Sequence, residues 1–175
     1  MKQEKISNTF EFLEHQIFLP GYMTLASAIY DNNGAKFKFN LKEPKVTRGI
    51  VNYFTPRGLH ICVSQGAYAL VEYLASKGEF GNLDILNLRE IALEGRLKIT
   101  ELFQKFRREV GLSEPIPGRI DITRLRLGKT PVLKVNFEFG AKAVTGNLVS
   151  IIAPKPMPQL NQNILRFNPN ERKYN

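Results

Sequence analysis

Residues 59–78 read LHICVSQGAYALVEYLASKG, and the rest of the chain is organised around how that stretch folds. At 100° per residue, Ala67, Leu70, Val71, Leu74 and Ala75 fall on one side, while Gln65, Tyr68, Glu72 and Ser76 fall almost opposite. This pattern predicts a long helix whose apolar side packs on a sheet. Ser64 is the expected N-cap, its hydroxyl accepting from a free first-turn N–H, and Gly78 is the expected C′ residue. The N–H groups of Gln65, Gly66 and Ala67 would then be unpaired and would carry the positive end of the helix dipole.

Upstream of the helix, TLASAIY (24–30) leads into Asp31-Asn32-Asn33-Gly34, residues suited to positive φ, and then into AKFKFNL, where Phe37 and Phe39 alternate with Lys36 and Lys38. That is a predicted hairpin. Pro44 and the 49–58 region, with Pro56, read as a loop. Downstream, residues 79–95 fit either a short helix or a packed crossover. From Gly95 the period changes to two. RLKITELFQKFRREV sets Leu97, Ile99, Glu101 and Phe103 against Lys98, Thr100, Leu102 and Gln104. GRIDITRLRLG, VLKVNFEFG and AVTGNLVSIIA follow, with Leu133, Val135, Phe137 and Phe139 on one face. A hairpin, a long helix and four mostly antiparallel strands predict an α+β domain, a sheet wrapped around a helix. It should span residues 21–153. Residues 1–20 read as an N-terminal arm with a short helix through Phe10, Phe12 and Leu13, and 154–175 as a Pro/Asn-rich tail.

At 175 residues the chain is long enough for one domain with a substantial core. No apolar run approaches the ~20 residues of a membrane span, and the first residues lack an apolar signal core, so a cytoplasmic protein is expected. Cys62 is the single cysteine; among small and apolar neighbours it reads as a buried structural thiol. The sequence contains no zinc-like Cys/His cluster, no phosphate-binding glycine loop and no Gly-x-Ser-x-Gly elbow, so no metal is expected. The formal net charge is +9, with the excess gathered at Arg107, Arg108, Arg119, Arg124, Arg126, Lys129 and Lys134. Such a surface attracts nucleic acid, a phosphorylated cofactor such as coenzyme A, or an acidic carrier protein; a solvated strand face is the competing reading. Nucleic acid also needs exposed aromatics for stacking, whereas Phe103, Phe137 and Phe139 alternate as core residues do.

The order of elements resembles the hot-dog fold. Ile61-Cys62-Val63-Ser64-Gln65, followed by Tyr68, resembles the Asn-Ile-Cys-x-Asn-Gln segment of the type III fatty-acyl-CoA thioesterase (FcoT-like) family. Leu102–Val110 and Gly118–Leu127 resemble the strands that family places next, and the likeness runs from Thr24 to Ala153. It implies a curved antiparallel sheet around a central helix, two subunits paired as a homodimer (or a dimer of dimers), and hydrolysis of acyl-CoA or acyl-carrier-protein thioesters. Coenzyme A or phosphopantetheine would enter as part of the substrate, with no separate cofactor. His60 and Ser64 stand where the family has asparagines, a departure that favours a non-catalytic acyl- or nucleic-acid-binding module. A lyase or transferase adding an amine to an enoyl thioester is the near alternative.

Hydrolysis requires a polarised carbonyl and an attacking water. Helix-start N–H groups around Gln65, Gly66 and Ala67 are the expected carbonyl donors, with Gly66 allowing close approach. Glu72, the only acid on this helix and on the same face as Gln65 and Tyr68, is the candidate to hold the water or take its proton. Its competing reading is a subunit-interface or solvent position, paired with a lysine. His60, expected just before the helix, offers a dehydratase scheme with an acid, but the Phe-Pro-Gly that follows the histidine in dehydratases is absent; hydrogen bonding to local backbone is its simpler role. Tyr68 is a candidate donor to the thioester. Tyr53 is a candidate pocket residue, and Arg107, Arg108 and Lys129 are candidates for the phosphates.

Overall fold

The central helix, α1 (Pro56–Ser76), begins upstream of the predicted cap at Ser64. Thr55 is the true N-cap: its backbone is extended and its Oγ accepts from the Gly58 N–H at 3.2 Å. Pro56 follows at the first helical position, where its missing N–H costs nothing. The added turns continue the apolar stripe through Leu59, Cys62 and Val63, all buried. At the other end Gly78 is the expected C′ residue, with φ +77°. Its N–H bonds Ala75 O, and the Glu79 N–H bonds Leu74 O, closing the orphan carbonyls of the last turn. The computed structural model describes residues 9–18, 22–41, 54–80, 84–112, 115–126 and 131–154, without the side chains of 124–126.

Six strands form one antiparallel sheet: β1 (Leu25–Tyr30), β2 (Gly34–Phe39), β3 (Leu97–Phe106), β4 (Ile116–Arg126), β5 (Val132–Phe139) and β6 (Val144–Ile152). Their spatial order is β1-β2-β4-β5-β6-β3. The predicted hairpin is β1/β2, closed by Asp31 N–H to Gly34 O at 2.9 Å. None of its turn residues has positive φ. A Cβ at Gly34 would meet the Asp121 carboxylate on β4, which would have to shift to admit it. The ambiguous stretch at 79–95 contains a helix, α2 (Ile85–Leu93), capped by Asp84, whose carboxylate accepts from the Asn87 N–H at 2.8 Å.

The sheet's inner face supplies Phe37, Phe39, Ile120, Leu133, Val135, Phe137 and Phe139, and α1 packs across β1, β2 and β4. Each large apolar side chain so buried contributes about 1.5–3 kcal/mol before entropy is charged against it. Opposite the sheet, α1 is covered as well. Helical residues 9–12, continued by a π-helical turn at Leu13–Ile17, put Phe12 and Leu13 into the core, and α2 packs beside them. The side of α1 that carries Gln65, Tyr68 and Glu72 is therefore buried, where its polarity predicts exposure.

Strand β3 departs from its pattern. Its period-two sequence predicts one core face, but it lies at the sheet edge, and Ile99, Leu102, Phe103 and Phe106 are all exposed, Phe103 by 62%. Phe103 is thus not a core residue like Phe137 and Phe139. Among the described residues no helix is long and apolar enough to cross a membrane.

Candidate active site

Glu72 sits in the middle of α1 at 2% exposure, and its partner is an arginine from α2 rather than a surface lysine. Arg89 Nε donates to Glu72 Oε1 at 2.7 Å, and Arg89 Nη2 reaches the same oxygen. The other oxygen, Oε2, is buried with no hydrogen-bond donor among the described residues. A carboxylate in a dry site normally spreads its donors over both oxygens, because each unsolvated lone pair costs free energy. Here one oxygen is held and the other has no donor among the described residues.

One turn earlier on the same face, the Tyr68 hydroxyl is also buried without a partner among the described residues. Burial first, and then the nearby Glu72 carboxylate, push its phenol well above the ordinary tyrosine range, with Arg89 acting weakly in the opposite sense. Tyr30, from β1, is raised for the same two leading reasons and stacks on Tyr73 at 4.3 Å between centroids. Both phenols stay protonated, and Tyr68 keeps a proton to donate. Phe12 closes this centre. Its ring stacks on Tyr68 at 5.8 Å and lies under the Arg89 guanidinium at 4.6 Å. A groove of about 880 Å³ runs outside it, between the N-terminal helical segment and α2, lined by Phe12, His15, Leu86, Arg89 and Leu93 among others.

The other expected site residues fall elsewhere. Gln65 is fully buried and its amide is consumed by the fold: Oε1 accepts from Thr24 N, Thr24 Oγ and Leu25 N at 3.0, 2.8 and 3.0 Å, while Nε2 donates to Tyr22 O at 2.7 Å. It ties the start of β1 to α1. Because the helix begins at Pro56, the N–H groups of Gln65, Gly66 and Ala67 belong to its internal ladder and form no oxyanion site; Ser64 is likewise an interior position, not a cap. Gly66 admits the sheet rather than a substrate, since a Cβ there would lie 2.5 Å from Ile120 Cδ1 and 3.2 Å from Phe39 Cζ. His60 lies within the helix, on its exposed side, and not before it. Arg107 and Arg108 are exposed, and Arg108 Nη2 spans to Gly140 O and Ala141 O at 3.3 and 3.4 Å. Arg119 is committed to Asp121 and Asp31. Cys62 is buried, as expected. Tyr53 and Lys129 lie outside the described residues.

Three residues of the centre carry no signal in the sequence reading. Arg89 and Tyr30 come from α2 and β1, and Phe12 appears there only as part of a short arm helix. The available hint to Arg89 is the spacing of Leu88 and Ile91 behind the Asp84 cap, which marks a helix with one buried side and Arg89 at its margin.

No family model matches the chain, and no curated protein matches it. Solved structures do. A Shewanella oneidensis protein provisionally described as a thioesterase aligns with 87% of this chain and 100% of its own, at TM-score 0.56 and 9% identity. A Syntrophus aciditrophicus protein with the same provisional description aligns over the same shares at TM-score 0.53 and 14% identity. At such identities the likeness establishes the fold. The chain is an α+β protein of hot-dog architecture, an antiparallel six-stranded sheet with a long central helix.

Proposed function

We propose that this protein hydrolyses acyl thioesters, with Glu72 as general base and Tyr68 as hydrogen-bond donor. The observation that carries the reading is the buried Glu72 Oε2, without a donor among the described residues, beside the groove that Phe12 and Arg89 line. Arg89 fixes the position of the carboxylate through Oε1, and leaves Oε2 to take a water proton. In the step, water oxygen bonds to the thioester carbon as its proton passes to Oε2. Tyr68 donates to the carbonyl oxygen as charge develops there. The C–S bond then breaks, and the departing thiolate recovers the proton, leaving an acid and a free thiol.

Two further parts of the reading draw on the resemblance of Ile61, Cys62 and Gln65 to the FcoT-like thioesterases. The acyl group arrives on coenzyme A or on a carrier protein in the cytoplasm, and two copies pair. The exposed apolar edge of β3 supports pairing, because an open strand with bare hydrophobic side chains is a template for another strand. A second reading, an acyl-binding module without turnover, is favoured by the absence of free helix-start N–H groups at Gln65–Ala67. Thiol release from acyl-CoA and acyl-carrier substrates, compared between wild type and Glu72→Gln, separates the two: turnover that the substitution abolishes supports hydrolysis, and its absence supports binding alone.

A further inference from the structure

We propose that the outer face of β1, β2 and β4 is a docking surface for an acidic amphipathic helix on a partner protein. Strand register places two rows of side chains there. Ile29 pairs with Lys36, Lys36 with Arg119 and Arg119 with Glu138, giving one row across four strands. Ser27 pairs with Lys38 and Lys38 with Pro117, giving the next. Side chains two residues apart share a face, so both rows point away from α1. Between them lies a groove of about 410 Å³, lined by Ile29, Pro117 and Ala141 among others and flanked by Lys36, Lys38 and Lys142.

Three observations identify the occupant. Ile29 is 61% exposed, a β-branched apolar side chain set among lysines, which offers an anchor point for an apolar residue. Lys36, Lys38 and Lys142 have no ion pair among the described residues, while Arg119 is already paired with Asp121 and Asp31. The groove also holds Glu138, so three lysines stand against one carboxylate and leave a net positive rim around an apolar floor, the complement of a helix with one apolar stripe and carboxylates beside it. Finally, Lys142 stands in a turn of three successive left-handed residues, Gly140, Ala141 and Lys142, at φ +58°, +53° and +67°. Neither Ala141 nor Lys142 is a residue type that favours this region. Arg108 clamps the turn through its two carbonyls, so the strained backbone holds Lys142 at the groove rim. A second copy of this chain would bring the same lysines against these, and nucleic acid would leave Ile29 without a use.

The test is fluorescence anisotropy with a labelled synthetic helical peptide carrying a leucine stripe flanked by glutamates. A scrambled peptide of the same composition and a single-stranded oligonucleotide serve as comparisons. The expected result is binding at least about tenfold tighter to the striped peptide than to either comparison, weakened about tenfold by Ile29→Asp and again by Lys36→Glu with Lys38→Glu. These positions are exposed, so the variants keep the fold, which circular dichroism checks. Equal binding of all three probes, or no binding, would overturn the proposal. So would self-association of the wild type that Ile29→Asp abolishes, which would assign the face to a second copy.

Discussion

Arg89 places both Nε and Nη2 on one oxygen of Glu72 and leaves the other oxygen buried without a donor among the described residues. The pair is thus strong on one side and unsatisfied on the other. A purely structural ion pair gains by satisfying both oxygens, and the asymmetry is what supports the proposed role of Glu72 as a base. Arg89→Met would leave the carboxylate uncompensated at 2% exposure, and a loss of about 3–5 kcal/mol is expected in urea unfolding. Adding Glu72→Met should recover most of it, because an apolar pair of similar volume removes both charges. Failure to recover would mean that Arg89 supports the fold through contacts other than this ion pair.

Gln65 is expected to matter for stability and not for chemistry. Gln65→Ala removes the acceptor for Thr24 N, Thr24 Oγ and Leu25 N, stranding buried donors at the start of β1. A loss of at least about 2 kcal/mol is expected, from about 1–3 kcal/mol for each buried group left unpaired. Turnover per folded molecule, measured at low temperature, should change less than about tenfold, well short of the effect of removing a catalytic base.

Alkali should unfold the protein through its buried phenols. Tyr30 and Tyr68 are both raised in the native state from an ordinary value of 10.0. The protonated form is the one the fold favours. The stability is therefore fully present below about pH 10, where unfolded tyrosine is also protonated, and is lost as pH rises above it. Each phenol contributes a slope of up to about 1.4 kcal/mol per pH unit. Stability measured from pH 9 upward should fall less steeply in Tyr68→Phe than in wild type. An unchanged slope would show that the hydroxyl is not buried in solution.

The β3 edge predicts association. Sedimentation of the wild type should give a dimer, and Phe103→Asp, at a position 62% exposed, should shift it to monomer without loss of secondary structure. A wild type that is monomeric at all accessible concentrations would remove pairing from the account.

Much of the fold was legible because it rests on local periodicity. Phe37 and Phe39 alternate with lysines, and Leu133 through Phe139 alternate on one face; both patterns hold in β2 and β5. The helix start was not legible, because Ser64 and Thr55 are both good caps and only tertiary packing of Leu59 selects the earlier one. For the site, Glu72 and Tyr68 were readable as a shared helix face. Their burial was not, since it depends on Phe12 and α2 folding over that face from distant sequence. The predicted oxyanion donors failed for the same reason as the cap: moving the helix start places Gln65, Gly66 and Ala67 inside the ladder. Nor could strand alternation reveal that β3 lies at the edge, because edge position is set by the order of strands and not by any one of them.

The central claim is tested most directly by free-thiol release from short-, medium- and long-chain acyl-CoA and acyl-carrier substrates, with wild type and Glu72→Gln side by side. The account predicts turnover by the wild type and a fall of about 10²–10⁴-fold in the variant, at unchanged fold. No thiol release from any substrate by folded wild type, or activity in Glu72→Gln within about tenfold of wild type, would contradict it.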